Sequence, residues 1–261
     1  MRIGSFIAPD DAAVLAAAGG AYVELFLTRT VGPPSAEDFA RLVRLSRDWP
    51  IRPTAFSGLV PPGIRITGPT ADPVLQGAYL REMFSRVGQL SGGGDAVVVF
   101  GSGAARSIPE GFSRDLALDQ LEDFLRRAAA LAADGGITFA LEPLNSRESN
   151  VFNSLAESGT FIRQRGLSDV FLLADLFHIM EESEPLDVID EVADLIVHAH
   201  VADTARGAPG TGSYPLVRFF AKLRENGYTG DCSIECVWDD FPGQVEQALA
   251  HCRKAANSAG W

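Results

Sequence analysis

The chain has 261 residues, a formal net charge of −12 at pH 7 and a hydrophobic fraction of 46%. That hydrophobic fraction is ordinary for a globular protein and excludes global disorder. The acidic balance argues against binding to nucleic acid or to an anionic membrane, because both partners require a basic face.

The cysteines and the apolar runs indicate the cellular compartment of the protein. Cys232, Cys236 and Cys252 are too few for a disulfide framework and form no Cys-x-x-Cys pair of the kind that holds a structural zinc. The apolar run at the N-terminus is too short for a signal peptide, and the other runs are strand-length or interrupted by charges. We therefore expect a reduced, cytoplasmic protein with no membrane span.

Short apolar runs bounded by glycine, proline or aspartate recur along the chain and predict eight strands. In chain order they are Arg2–Ile7, Tyr22–Leu27, Ile51–Phe56, Ala96–Phe100, Ile137–Leu141, Val170–Ala174, Leu195–Ala199 and Cys232–Val237. Segments with helical periodicity lie between them, namely Ala36–Arg47, Asp72–Leu90, Leu116–Ala133, Phe152–Arg165, Leu216–Asn226 and Gln244–Ala255. One strand and one helix together take about 33 residues, the size of a βα unit.

This uninterrupted alternation predicts one parallel α/β domain over residues 1–261. A closed (β/α)8 barrel, the TIM barrel, fits the number of strands. A doubly wound open sheet is the alternative, although no Gly-x-Gly-x-x-Gly motif follows the first strand.

Potential metal ligands lie at the ends of the last four predicted strands: Glu142, Asp175, the pair His198 and His200, and Glu235. In a barrel, the carboxyl ends of the strands form one rim, and the active site lies there. Three carboxylates and one imidazole are mostly hard oxygen donors, which favours one Mn²⁺ ion, with Mg²⁺ or Co²⁺ as alternatives. Three carboxylates at one rim would repel one another strongly unless a cation lay among them.

The alternation of side chains along a strand predicts which residues face the barrel interior. If Glu142 points inward, Ala140 does too. If Glu235 points inward, Cys232 and Cys236 pack outward as small core residues. His198 is expected to be a hydrogen-bonded core histidine one layer below His200.

Four spaced motifs in this order resemble the sugar isomerase/epimerase superfamily with the xylose-isomerase-like barrel. The motifs are Glu142-Pro-Leu-Asn145, Asp175-Leu-Phe-His178, His198-Ala-His200 and Glu235. The closest pattern is that of the ketose 3-epimerases of the D-tagatose/D-psicose type. The resemblance covers most of the chain and is most specific over residues 137–238.

The resemblance also implies roles for individual residues. It implies that the metal ligands are Glu142, Asp175, His200 and Glu235. It further implies that Glu148, His178 and Arg206 contact the substrate. Arg206 opens the segment Arg-Gly-Ala-Pro-Gly-Thr-Gly, which is similar to the family's glycine-rich loop after the seventh strand.

The pair of glutamates, Glu142 and Glu235, suggests a mechanism of proton transfer at carbon. A divalent ion that binds a carbonyl oxygen and the neighbouring hydroxyl acidifies the C–H bond between them. We expect the two glutamates to approach the bound carbons from opposite faces, so that one removes the proton and the other returns it. The predicted enzyme is a metal-dependent isomerase of a sugar or sugar-derived ketone, acting as a ketose 3-epimerase through an enediolate.

Other reactions on the same barrel remain open from the sequence. They are a dehydratase of the inosose or dehydroshikimate type and a hydroxypyruvate-type isomerase. A DNA-repair endonuclease is disfavoured, because the chain has only four histidines for a metal cluster and lacks a basic balance. The identity of the sugar, its phosphorylation and the oligomeric state stay open, with a homo-oligomer as one option.

The first half of the chain gives weaker predictions. Glu24 is expected at the rim or in simple barrel packing, and the loop 61–69 is expected to fold over the pocket. Arg106 and Glu110 are candidates for binding a substrate phosphate or carboxylate, with a surface role as the alternative. Trp238, three residues after Glu235, is expected to form a pocket wall.

Overall fold

A computed structural model describes residues 1–32 and 35–261 of the chain. Eight parallel strands form a closed barrel in which each strand pairs with its neighbours in sequence, and the first pairs with the last. The strands are β1 (Ile3–Phe6), β2 (Val23–Phe26), β3 (Pro53–Ser57), β4 (Ala96–Phe100), β5 (Ile137–Leu141), β6 (Phe171–Asp175), β7 (Ile196–Val201) and β8 (Asp231–Ile234). The predicted barrel is confirmed, and closure between β1 and β8 excludes the open sheet.

Helices surround the barrel. In chain order they are α1 (Ala12–Ala17), α2 (Ala36–Arg47), α3 (Pro73–Ser91), α4 (Gly103–Arg106), α5 (Arg114–Asp134), α6 (Leu155–Gln164), α7 (Leu176–Glu181), α8 (Val188–Val192), α9 (Leu216–Glu225) and α10 (Phe241–Ser258). Local sequence sets their ends. Ser35 begins α2 by accepting a hydrogen bond from the Asp38 amide, and Gly92, with φ of 72°, ends α3 in the left-handed conformation.

Two apolar layers hold the barrel together. The outward faces of the strands pack on the helices in one large core, which includes Phe139 and Leu141 of β5. A small separate apolar cluster of Val99, Ala140 and Leu173 lies in the interior. The predicted alternation on β5 is therefore confirmed.

The cysteines belong to the outer layer. All three are buried and unpaired, and all three lie in the core between strands and helices. Among the residues that the structure describes, no helix combines the length and the apolarity needed to cross a membrane.

Candidate active site

The four predicted metal ligands meet at the carboxyl rim of the barrel. Asp175 ends β6 directly opposite His200 on β7. Glu142 and Glu235 follow β5 and β8, and the backbone amide of each hydrogen-bonds to the neighbouring strand. The Glu142 amide donates to Phe100 O at 3.1 Å, and the Glu235 amide donates to Val201 O at 3.0 Å. Parallel strands in register thus bring together side chains that lie far apart in the sequence.

The geometry of this cluster fits a single cation. One potential ligand atom from each of the four side chains lies within 4.8 Å of the others. His200 Nδ1 is 3.5 Å from Glu142 Oε1 and 3.4 Å from Glu235 Oε2. Within the described residues, buried atoms without a hydrogen-bond partner include Glu142 Oε1, Asp175 Oδ2 and His200 Nδ1. Buried polar atoms are normally paired, and a cation among these atoms would satisfy all three at once.

The orientation of His200 is fixed from below by Glu24, a fully buried carboxylate on β2. His200 Nε2 lies 3.0 and 3.1 Å from the two Glu24 oxygens. An ionised carboxylate only accepts hydrogen bonds, so Nε2 carries a proton. Nδ1 is the nitrogen that faces the cluster, and it can bind a cation once it has lost its own proton. A carboxylate behind a histidine is the usual partner that orients a metal-binding imidazole.

His198 shares the same carboxylate. Its Nε2 lies 3.2 Å from Glu24 Oε2 and 3.4 Å from the hydroxyl of Ser233, which in turn lies 2.7 Å from the Tyr22 hydroxyl. His198 is therefore a hydrogen-bonded core histidine below His200, as predicted. Sequence reasoning placed Glu24 at the rim or in simple packing and missed its contact with both histidines.

A second polar group surrounds His178, which lies in the first turn of α7. The backbone amide of Asn145 donates to His178 Nδ1 at 3.0 Å, so Nε2 bears the proton. That nitrogen has no hydrogen-bond partner in the described structure and lies 3.6 Å from Asp175 Oδ2. Asn145 also donates from its side chain to Glu148 at 2.8 Å. His178 thus presents a free N–H donor to the site, and Asn145 is a positioning residue that sequence reasoning did not identify.

Arg206 bridges two glutamates at the rim. Its guanidinium donates to Glu235 at 2.7 Å and to Glu148 at 3.1 Å, and it lies 4.8 Å from the Phe177 ring centroid. Arg206 has a positive φ of 59°, a strained conformation for a residue with a side chain. Such strain persists only where the surrounding structure enforces it.

Buried Asp203 holds the loop that carries Arg206. Its carboxylate accepts hydrogen bonds from the amides of Thr204, Gly210 and Tyr214, each at 2.9 Å. Its own amide donates to Gly207 O at 2.8 Å. The glycine-rich segment is therefore folded around one carboxylate, which sets the position of the arginine.

The ionisation of the clustered groups follows from burial and from neighbouring charges. Burial raises the pKa of Asp175 to about 6, and burial together with the nearby Glu235 raises the pKa of Glu142. Burial alone would also raise the pKa of Glu235, but the charges of His200 and Arg206 outweigh it and lower that pKa to about 2. The two glutamates therefore have different environments although they face the same nitrogen.

The prediction for Arg106 is wrong. The residue is fully buried, and its guanidinium donates to Glu142 O at 2.8 Å, Phe152 O at 3.2 Å and Phe100 O at 3.4 Å. Arg106 therefore ties the ends of β4 and β5 to the loop before α6, and neither of the two predicted roles applies. Glu110 is exposed.

Replacing Arg106 by Met should destabilise the fold without removing a charged group from the site. Unsatisfied buried acceptors cost about 1–3 kcal/mol each, so we expect a loss of about 3 kcal/mol in the free energy of unfolding. Differential scanning calorimetry should show a decrease in Tm of roughly 6–12 °C. The same change at exposed Arg44 should alter stability by no more than about 0.5 kcal/mol. An equal Tm for both variants would contradict this assignment.

Two glycines after β4 allow atoms of Glu142 and Glu148 to lie against the backbone. A Cβ on Gly101 would lie within contact distance of Glu142 Oε2, and a Cβ on Gly103 would overlap the Glu148 carbonyl oxygen. At Gly103 a larger residue would require a shift of the backbone, and at Gly101 it would displace the Glu142 carboxylate from the cluster. These glycines keep Glu142 and Glu148 close to the wall of the site.

A cavity of about 450 Å³ opens above the cluster. One side is lined by Glu142, Glu148, Arg206 and Glu235, and the other by Phe26, Arg29, Ser57, Pro61 and Pro62. The start of loop 61–69 thus lies at the cavity, as predicted. Trp238 instead packs on Phe241, with ring centroids 5.2 Å apart, and is not among the lining residues in the described part of the chain.

Fold and site together define a class: a parallel (β/α)8 barrel with a cluster of three carboxylates and one histidine at its carboxyl rim. The chain belongs to the family of xylose isomerase-like TIM barrels, whose family model matches residues 12–255.

Several relatives of the chain are named as sugar epimerases, and one as a putative hydroxypyruvate isomerase. The chain is 32% identical over 144 residues to 3-dehydro-D-guloside 4-epimerase of Escherichia coli (53% of this chain, 55% of the relative). It is 35% identical over 112 residues to L-ribulose 3-epimerase of Mesorhizobium japonicum (42% of this chain, 38% of the relative). The chain thus matches about half the length, or less, of these relatives. A solved D-psicose 3-epimerase with D-tagatose, from Clostridium cellulolyticum, has the same fold, with a TM-score of 0.81 at 20% identity over 98% of this chain and 99% of the other.

Proposed function

We propose that the protein is a metal-dependent sugar epimerase, acting on a ketose or a sugar-derived ketone and most simply at carbon 3. The observation that carries this proposal is the pair of glutamates. Glu142 and Glu235 come from different strands, line the same cavity and approach the same imidazole nitrogen at 3.5 and 3.4 Å. The relatives support this class of reaction, since their names include both 3-epimerases and a 4-epimerase.

Glu142, Asp175, His200 and Glu235 are the residues that would hold the ion, and we propose Mn²⁺ because three of the four ligands are carboxylates. The ion, when bound, lowers the energy of the negative charge that develops on the substrate oxygens. Glu24 keeps the Nδ1 lone pair of His200 directed at the cluster.

The chain's own side chains perform the proton transfer. We propose that one of Glu142 and Glu235 removes the proton from the carbon beside the carbonyl group and that the other returns a proton to the opposite face, which inverts that carbon. His178 donates its Nε2–H to a substrate oxygen. Arg206 and Glu148, already paired with each other at 3.1 Å, bind hydroxyl groups farther along the sugar.

Turnover in D₂O tests this proposal. We expect the Mn²⁺-loaded enzyme to interconvert two epimeric ketoses, with one solvent deuteron in the product at the inverted carbon, as read by NMR across a panel of free and phosphorylated ketoses. A product lighter by one water would identify a dehydratase. Turnover restricted to three-carbon substrates would identify a hydroxypyruvate-type isomerase. An inverted product without deuterium would contradict the enediolate route.

Removal of the metal gives an independent prediction. Chelation by EDTA should reduce turnover to background, and Mn²⁺ should restore it. Mn²⁺ at about 100 times its Kd should stabilise the native state by about 2.7 kcal/mol and raise the Tm by roughly 5–10 °C. Asp175→Asn should lose most of this thermal shift. An equal shift in that variant would show that the ion binds elsewhere.

We also propose a cytoplasmic enzyme whose partner is a small molecule rather than nucleic acid. The small number of cysteines and the net charge of −12 support this setting.

A further inference from the structure

We propose that the β2–β3 side of the cavity is a recognition site for an anionic group of the substrate. The group is a phosphate ester or a carboxylate on the end of the sugar away from the reacting carbons. This inference rests on the proposed function and names the substrate class of the same site.

Arg29 supplies the positive charge. It follows β2, lines the cavity and places its guanidinium carbon 4.7 Å from the Phe26 ring centroid. No acidic side chain in the described part of the chain forms an ion pair with Arg29. The other arginine of the cavity, Arg206, is already bound to Glu148 and Glu235. Arg29 is therefore the cavity cation whose donors are available to a ligand, and a stacked guanidinium is well suited to a planar or tetrahedral oxyanion.

Ser57 supplies a second group on the same wall. It ends β3, is only 2% exposed and lines the cavity, and its hydroxyl has no hydrogen-bond partner in the described structure. Buried hydroxyls are usually paired, so this one points to a partner that arrives with the ligand.

Phe26 joins these two groups into one surface. It pairs with Ser57 in the sheet, and its ring carries the guanidinium of Arg29. A Cβ on Gly58, the residue after β3, would overlap the same ring, so glycine allows the backbone to approach it this closely. The three side chains therefore form a continuous wall on the side of the cavity away from the acidic cluster.

The charges that line the cavity determine how an anionic substrate is oriented in it. The rim around the metal cluster carries the carboxylates of Glu142, Glu148, Asp175 and Glu235, which disfavour another anion there. In the described structure, no carboxylate lines this cavity on the Arg29 side; Asp10 and Asp38 line a neighbouring pocket with Arg29 and form no ion pair with it. A cavity of about 450 Å³ is within the range of sites that enclose whole small ligands, so it has room for a phosphate or carboxylate beyond a six-carbon ketose.

Calorimetric titration of the Mn²⁺-loaded protein tests this inference. The ligands are D-fructose, D-fructose 6-phosphate and D-fructuronate, and the proteins are the wild type, Arg29→Ala, Arg29→Lys and the control Arg44→Ala on an exposed face of α2. We expect at least one anionic ligand to bind the wild type ten to a hundred times more tightly than D-fructose. In Arg29→Ala the ratio of the two affinities, anionic ligand over D-fructose, should fall below about three. Arg29→Lys should retain part of it, and Arg44→Ala should retain all of it.

The two anionic ligands distinguish the sources of the charge, since the tighter one identifies a sugar phosphate or a sugar acid. Equal ratios in the wild type and Arg29→Ala, or no preference for either anion, would overturn the inference. Because binding is measured without turnover, an Arg29-dependent preference in a protein that epimerises nothing would refute the proposed reaction and keep this site. Turnover of neutral ketoses by a protein with no such preference would support the proposed reaction and refute the anion site.

Discussion

Glu142→Gln and Glu235→Gln should each lower kcat on the best ketose substrate by a hundredfold to ten-thousandfold. Each change leaves an amide of nearly the same shape that cannot accept or return a proton, and general acid–base groups typically contribute a factor of this size. Steady-state kinetics at saturating Mn²⁺ provides the measurement. We expect at least one of the two variants to retain part of its metal binding, because three of the four proposed ligands remain.

The control is Glu246→Gln, which changes an exposed glutamate of α10 and should leave kcat unchanged. Exchange with D₂O separates chemistry from folding. A folded variant that binds Mn²⁺ but incorporates no deuterium has lost the proton transfer alone. If both glutamine variants kept wild-type turnover, the two-glutamate mechanism would be wrong.

Glu24→Gln should weaken Mn²⁺ binding by about ten- to a hundredfold, although the residue touches neither ion nor substrate in the proposed mechanism. In the native protein, one carboxylate accepts from His198 Nε2 and His200 Nε2. Glutamine offers one acceptor oxygen and an amide that donates, so one histidine must turn or change its tautomer. The Nδ1 lone pair of His200 is then no longer fixed on the cluster. Titration calorimetry with Mn²⁺ gives the affinity directly.

Tyr22→Phe is the matched control for Glu24→Gln. It removes a buried hydroxyl from the same polar network, the one bonded to Ser233 at 2.7 Å, and leaves the contact between Glu24 and His200 in place. We expect it to lower the Tm and to keep the Mn²⁺ affinity within about twofold. Equal losses of affinity in both variants would show that Glu24 acts only through the stability of the barrel.

The sequence predicted the fold closely because each element carries its own signal. Apolar runs punctuated by glycine and aspartate mark strands, and the stripe along α5 marks a helix, so both can be identified without tertiary information. The assembly of Glu142, Asp175, His200 and Glu235 was also predictable. In a parallel barrel, all strand ends share one rim, and chain order is enough to bring such residues together.

The individual hydrogen-bond partners of buried side chains were not predictable. Glu24 lies in the run Tyr-Val-Glu-Leu, where nothing nearby indicates a partner, and its histidines are 174 and 176 residues away in the sequence. Arg106 was predicted to bind a substrate anion or to lie at the surface. Its actual partners are mainly backbone carbonyls, which are present at every residue and so give no signal in the sequence. A charge within an apolar strand, as at Glu24, is the signal that could have indicated a buried pair.

The hydrogen bonds of Arg106 and Asp203 are concentrated on one half of the rim. Both side chains hydrogen-bond to backbone groups on the side that carries the glutamates. Arg29, which follows β2, and Ser57, which ends β3, take no part in those networks. The loop after β3 does bond to the Arg106 segment, through Val60 and Thr67, but the side chains of Arg29 and Ser57 can change without breaking any of these hydrogen bonds. Substitutions after β2 and β3 would alter which substrates bind and leave the reacting centre in place. Related barrels with different substrates should therefore differ first on that side.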